Sequence, residues 1–223
     1  MFAQRLSATL QSIENAASAA QRPVPRLLAV SKTQPAAAVA ELAAAGQLAY
    51  GENYVQEAQA KRAQLHALPL EWHLVGHLQS NKAELAAEVF DWVQSVDRPK
   101  LVTALARHRP EQRAPLNVLI QVNIDDEASK HGCAPGQVAA LAALIAAEPR
   151  LRLRGLMAIP APHPEPELRR AAYRRMATLL ADLAEAHPQA DTLSMGMSDD
   201  YALAIAEGAT MVRIGTALFG ARG

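Results

Sequence analysis

The sequence predicts a single α/β domain over residues 1–223, folded as a closed (β/α)8 TIM barrel with an extra N-terminal helix. Three observations predict it. From Arg26 onward, short apolar β-rich runs alternate with longer Ala/Leu/Glu-rich stretches of helical period. The strand runs are apolar nearly throughout, as strands buried on both faces must be. The unit recurs eight times without a linker or low-complexity break, and right-handed crossovers close such a series on itself. An open doubly wound sheet is the competing arrangement.

The elements follow in order. "MFAQRLSATLQSIENAASAA" places apolar residues at helical spacing, so a helix is expected over about residues 2–20, covering the bottom or side of the barrel. The eight strand runs are "RLLAVSK", "LAYGEN", "EWHLVG", "DWVQSVD", "LNVLIQVNI", "LRLRGLMAI", "DTLSMGM" and "TMVRIGTALFG". Between them lie "PAAAVAELAAAG", "YVQEAQAKRAQL", "NKAELAAEVF", "PKLVTALARH", "PGQVAALAALIAAEP", "EPELRRAAYRRMATLLADLAEAHP" and the short "SDDYALAIAEG". "IPAPHPEPE" is a proline-rich loop inside the domain. Only Ala221, Arg222 and Gly223 follow the last run, so no second domain is expected. Trp72 and Trp92 are expected in the core, and "RRAAYRR" on a solvated helix face.

Composition narrows the function. Lys plus Arg is 22 and Asp plus Glu is 22, which removes the electrostatic case for nucleic acid or an anionic membrane. Cys133 is the only cysteine, which excludes an intramolecular disulfide and fits a reducing cytosol. The N-terminus lacks the unbroken apolar core of a signal peptide, and no stretch reaches membrane-spanning length. A cytoplasmic protein is expected. The 7 histidines are scattered and no HExxH spacing occurs, so no metal site is expected.

Ligand sites in such barrels form where the strands end at their C-termini. Lys32 ends the first strand, Glu52 and Asn53 the second, Gly76 and His77 the third, and Ser95 and Asp97 the fourth. Asn123 and Asp125 lie near the fifth, Met157 and Ile159 close the sixth, and Gly196 to Asp199 and Arg213 to Thr216 close the last two. "MGMSDD" puts Ser198 where it can cap the next helix beside backbone N–H groups, and "VRIGT" puts Gly215 and Thr216 where an anion can approach the backbone. Together they point to a phosphate. A phosphate opposite Lys32 leaves two ligands open. One is a phosphorylated metabolite with Lys32 as counter-ion, and the other is pyridoxal phosphate with its aldehyde on the lysine amine.

The motifs "AVSKTQP", "GENYVQEA", "WHLVGHLQSNK", "QVNIDDEASKHG", "GLMAI" and "GMSDDYALAIAEGATMVRIGTALFG" resemble the pyridoxal-phosphate homeostasis protein family, single-domain relatives of the N-terminal barrel of alanine racemase. The resemblance runs in order from about Leu27 to Gly220. It implies that pyridoxal 5'-phosphate (PLP) is the ligand, with Lys32 forming the Schiff base and Ser198, Gly215 and Thr216 holding the phosphate. Arg213 would face the pyridine nitrogen, Asn53 and the His77–Ser80 stretch would line the ring and its open side, and Met157 would pack beneath or beside it.

A guanidinium can only donate to the ring nitrogen, which leaves that nitrogen unprotonated and a poor electron sink. The competing role for Arg213 is an ion pair with a barrel carboxylate. The two-domain racemases take a second acid/base, a tyrosine, from a separate domain. None of Tyr50, Tyr54, Tyr173 and Tyr201 can be assigned that role. The expectation is therefore a monomeric PLP buffer or carrier serving vitamin B6 and amino-acid homeostasis, with PLP-dependent apo-enzymes as possible recipients. The alternatives are a weak PLP-dependent racemase or lyase, and a phosphosugar-type barrel enzyme without PLP. Lys130 is a further candidate for transient cofactor uptake at the rim.

Overall fold

The computed structural model describes residues 1–127, 131–161 and 163–220. Strands β1 (Arg26–Val30), β2 (Ala49–Glu52), β3 (Glu71–Leu74), β4 (Trp92–Val96), β5 (Leu116–Gln121), β6 (Leu151–Met157), β7 (Thr192–Ser194) and β8 (Met211–Ile214) pair in sequence order, and β8 returns to β1. All pairs are parallel, and the closed barrel replaces the open-sheet alternative. The connecting helices are α2 (Ala36–Ala44), α3 (Val55–Gln64), α4 (Ala83–Val89), α5 (Pro99–His108), α6 (Val138–Ala146), α7 (Pro166–Ala186) and α8 (Tyr201–Ala206). One-turn 3-10 segments at Ser80–Lys82 and Pro135–Gln137 lead into α4 and α6.

α1 (Phe2–Ala19) lies on the side of the barrel, along the short α8 and the terminal α9 (Thr216–Phe219). Phe2 meets Phe219 edge-on, with ring centroids 6.1 Å apart, and Arg22 Nε donates to Ala206 O at 3.4 Å. Leu6, Ile13 and Ala17 form its buried stripe. α8 has six residues, and α1 covers apolar surface that so short a helix leaves.

One sequence expectation needs correction. "TALFG" is not part of the last strand: β8 stops at Ile214, and Thr216–Phe219 turn into α9. Leu218 and Phe219 are buried there beneath α1. A run of apolar residues has the same pattern in a buried strand and a buried helical turn, and only the neighbouring elements separate the two. The other strand runs are longer than the strands by two to four residues, because they include the residues by which the chain enters and leaves the barrel wall.

The core has two layers. Leu27, Ala29, Tyr50, Leu74, Val93, Val118, Leu156 and Val212 belong to the main cluster, packed with the helices. Leu28, Ala49, Val75 and Met211 form a cluster of their own, and Trp92, Leu119 and Met157 another. Trp72 and Trp92 are both buried.

β6 deforms at Gly155, where its register against β5 shifts. Gly155 has φ +138°, and a Cβ there would lie 2.0 Å from Thr192 O. Gly155→Ala is expected to lower the unfolding free energy by about 3 kcal/mol or more. A urea denaturation curve superimposable on that of the unmodified chain would contradict this account of the bulge.

Candidate functional site

Lys32 follows β1 and is half-buried. Its amine has no hydrogen-bond or ion-pair partner among the described residues, unlike the frame around it. Ser31 Oγ donates to Glu52 Oε1 at 2.5 Å, and Lys61 Nζ donates to the same oxygen at 2.7 Å, to Ser31 O at 2.7 Å and to Glu57 Oε1 at 2.8 Å. Thr33, on the other side of Lys32, has φ +66° and donates its N–H to Glu57 Oε1 at 2.6 Å. A left-handed conformation is costly for a β-branched residue and persists only where its surroundings hold it. α3 therefore clamps both neighbours of Lys32 through one buried lysine. Glu52 is 0% exposed and its Oε2 has no partner. Burial pushes its pKa up, while the Lys61 and Ser31 hydrogen bonds pull it down, and burial prevails.

Arg213, on β8, is 4% exposed. Its Nη1 donates to Ser194 O at 2.7 Å and Ser194 Oγ at 2.8 Å, and its Nη2 donates to Ala158 O at 2.8 Å. No carboxylate pairs with it among the described residues, so the ion-pair role is not the one it takes. Nε has no acceptor among the described residues. Burial lowers the Arg213 pKa to about 10 against the pull of Tyr173 and Asp200, so it is a cation at neutral pH.

From Arg213 a chain of hydrogen bonds runs down the barrel. Ser194 Oγ donates to Gln94 Oε1 at 2.6 Å, Gln94 Nε2 meets His73 Nδ1 at 2.9 Å, and His73 Nε2 meets Glu71 Oε1 at 2.5 Å. Glu71 pairs with Arg26 at 2.8 Å at the N-terminal face. These partners assign the neutral tautomer with its proton on Nε2. Burial lowers the His73 pKa and outweighs the Glu71 hydrogen bond, which keeps the ring neutral.

At the other strand ends, Gly215 N–H and Thr216 N–H donate to no backbone acceptor among the described residues. A Cβ at Gly215 would lie 3.0 Å from Val30 O, a tight contact with the end of β1 that favours a glycine. Ser198 is half-buried in the loop before α8 but does not cap it: the N-cap position is Asp200, two residues later. Asp200 Oδ1 accepts the Met197 N–H at 2.7 Å and Oδ2 accepts Tyr173 Oη–H at 2.7 Å. The loop carrying Ser198 is thus tied to α7, a role for Tyr173 and Asp200 that local sequence pattern does not reveal.

The remaining expected residues spread along the rim. Asn53 follows β2 and is half-buried, His77 is exposed, and Ser80 opens the 3-10 turn before α4. Met157 is fully buried against Trp92 and Leu119, below the rim. Tyr50 donates from its hydroxyl to Val39 O or Gln47 O, on the helix side of β2, and Tyr54 is 64% exposed. Lys130 lies outside the described residues.

A closed (β/α)8 barrel with a strand-end lysine, a carbonyl-held arginine on the adjoining strand and a glycine-lined rim defines the class of alanine racemase N-terminal barrels. The family model described as "Alanine racemase, N-terminal domain" matches residues 4–223. Within that class the chain belongs to the pyridoxal phosphate homeostasis protein family. It is 54% identical over 223 residues to the Pseudomonas aeruginosa member, covering 99% of this chain and 96% of that one. It is 55% identical over 199 residues to the Escherichia coli K12 member, covering 88% and 85%. Among solved structures, PipY of Synechococcus elongatus without PLP matches with TM-score 0.89 and 40% identity, covering 99% of this chain and 100% of that one. PipY with PLP bound matches with TM-score 0.85 and 41% identity, at the same coverage.

The neutral His73 gives a pH signature. Its depressed pKa means that its contribution to stability is present above the ordinary value of 6.5 and is lost as pH falls below it, because the unfolded imidazole then takes up a proton that the folded one refuses. Burial raises the Glu71 pKa, but His73 and Arg26 together hold it down to about 2, so its own contribution persists from above 4.5 until pH falls through about 2. Between pH 7 and 5, urea denaturation is expected to show a shallower loss of stability in His73→Gln than in the unmodified chain. Equal slopes would mean that folding leaves the His73 pKa at its ordinary value.

Proposed function

We propose that this chain binds pyridoxal 5'-phosphate, holds it as a Schiff base on Lys32, and buffers or delivers it with little or no turnover, so serving vitamin B6 and amino-acid homeostasis. The observation that carries the reading is Arg213. It is a permanent cation at the barrel mouth, fixed by carbonyl and hydroxyl oxygens and free to donate from Nε. The residues fit the cofactor. Arg213 Nε is available to the ring nitrogen, the Gly215 and Thr216 N–H groups and the Ser198 hydroxyl to the phosphate, and the Lys32 amine to the aldehyde. In this reading Asn53, His77 and Ser80 would line the ring and its open side, and Met157 would pack beneath or beside it.

Bound PLP supplies an electron sink whose strength depends on a protonated ring nitrogen. A guanidinium only donates and leaves that nitrogen unprotonated, which favours holding the cofactor over carbanion chemistry. The Tyr50 and Tyr173 hydroxyls are engaged by backbone or carboxylate groups away from Lys32. That further weakens the racemase or lyase alternative. The partners in this reading are PLP and PLP-dependent apo-enzymes that receive it, with the chain a monomer in the cytoplasm, contacting neither nucleic acid nor membrane. No helix among the described residues is long and apolar enough to cross a membrane.

The first test is the visible absorption spectrum after incubation with PLP, beside Lys32→Ala. A Schiff-base band in the unmodified chain that is lost in the variant is the expected result. No band in either protein would overturn the reading and direct attention to phosphorylated sugars. Turnover is tested by solvent deuterium uptake at the α-carbon of added amino acids, and sustained uptake over many cofactor equivalents would replace the carrier by an enzyme.

A further inference from the structure

The described rim contains a side-chain cluster that the reading above does not use as a unit. His77 follows β3, Asp97 follows β4, and His131 lies in the loop after β5. The fold brings them together: one potential ligand atom from each lies within 4.8 Å of the other two. The two imidazole rings stack with centroids 3.6 Å apart and an interplanar angle of 13°, and His77 Nδ1 is 4.0 Å from Asp97 Oδ2. We propose that His77, Asp97 and His131 form a binding site for a divalent transition-metal ion of the Zn2+ type.

The donor set suits that class of ion. Two imidazole nitrogens and one carboxylate oxygen are borderline ligands that favour Zn2+ and its neighbours over Mg2+ or Ca2+, which prefer all-oxygen sites. Ligands at about 2.0–2.1 Å from a tetrahedral ion stand about 3.3 Å apart, so the cluster must contract by about 1.5 Å at most. The two rings are stacked nearly parallel, so one imidazole must also turn out of the stack to bring the ion into its ring plane; both histidines are exposed at the rim. Three protein ligands leave a fourth position for water or an anionic oxygen.

Asp97 and the backbone of His131 are also held in place from behind. Asp97 Oδ1 accepts from Arg98 Nη1 at 2.5 Å, and Arg98 Nη2 is anchored on Leu78 O at 2.9 Å and Ser80 Oγ at 3.4 Å. This leaves Oδ2 for the histidines, the arrangement by which an outer partner orients a metal-binding carboxylate. His131 is fixed through its own carbonyl, which accepts from Gln121 Nε2 at 3.3 Å. Two residues on, Cys133 forms a short parallel bridge to Val122, with Cys133 N donating to Gln121 O and Asn123 N donating to Cys133 O, both at 2.9 Å. His77 and His131 are 54 positions apart in the chain (131 − 77), which is why sequence spacing gives no metal signal.

The test is calorimetric titration of the full chain with Zn2+ after dialysis against a chelator. One ion per chain is expected, with binding weakened about tenfold or more in His77→Ala and in His131→Ala. His108→Ala, which removes a histidine beside Glu84 outside the cluster, should leave the affinity unchanged. Absence of binding, or equal affinity in the unmodified chain and both cluster variants, would overturn the proposal. Circular dichroism of each variant checks that the fold is retained. The titration does not depend on Lys32 or on PLP, so it stands or falls separately from the carrier reading.

Discussion

A guanidinium inside a barrel, with no carboxylate beside it, is the constraint around which this molecule is organised. Isolated charges are expensive to bury, and Arg213 meets that cost with oxygen atoms supplied by β7 and the end of β6. Those oxygens must themselves be oriented. The hydroxyl of Ser194 can accept from Arg213 because its own proton goes to Gln94, and Gln94 can accept that proton because its amide hydrogens point towards His73. Every donor in the series points the same way, from the cation at the mouth to the carboxylate of Glu71 at the opposite end. The counter-charge is thus present in the barrel, relayed by neutral dipoles, and a positive His73 would reverse one link of the relay.

Apolar packing surrounds this polar column. Leu28, Ala49, Val75 and Met211 form one patch, and Trp92, Leu119 and Met157 another. Met211 joins the first patch to the polar column, since Gln94 Nε2 also approaches its sulfur at 3.2 Å. Outside the barrel wall a second polar device acts on Lys32. The Lys61 ammonium is 5% exposed and touches Ser31 O, Glu52 and Glu57, so it links β1, β2 and α3 at a single point. A buried ion pair of this kind contributes little net stability compared with apolar packing. What it does supply is position: it keeps the two residues flanking Lys32 from following the continuation of the strand.

Much of the architecture was legible because it rests on period. Strands buried on both faces must be apolar throughout, helices must carry a stripe, and eight repetitions of the pair leave few topologies. The strand-end rule then located Lys32, Arg213, Gly215 and Thr216 on one rim without any alignment. What could not be read were contacts between elements. Ser31, Glu52 and Lys61 look individually like ordinary strand-end and helix-surface residues, and nothing local says that they meet. Ser198 looked like a helix cap because Ser precedes an Ala-rich segment, whereas Asp200 occupies that position and is itself held by Tyr173 from α7. "TALFG" was read as strand because apolar runs carry no label for their partner, and α1 decides the matter. The family resemblance chose between ligands that spacing had left open, but it could not show how Arg213 is held.

The polarity of the unclaimed groups at the mouth carries one further consequence. The frame around the rim is largely satisfied, yet Lys32 Nζ, Arg213 Nε and the Gly215 and Thr216 N–H groups have no acceptor among the described residues, and all of them are donors. Groups of this kind are met by hydrogen-bond acceptors at separated points, and an anionic group suits the two adjacent backbone N–H groups best. Neutral sugars, which carry donors and acceptors evenly, would leave the arginine poorly matched. The interior column bears on this cation at one partner only: Ser194 O and Ala158 O are carbonyls that accept from Arg213 in any case, and the direction of the column decides how the Ser194 hydroxyl is presented to it.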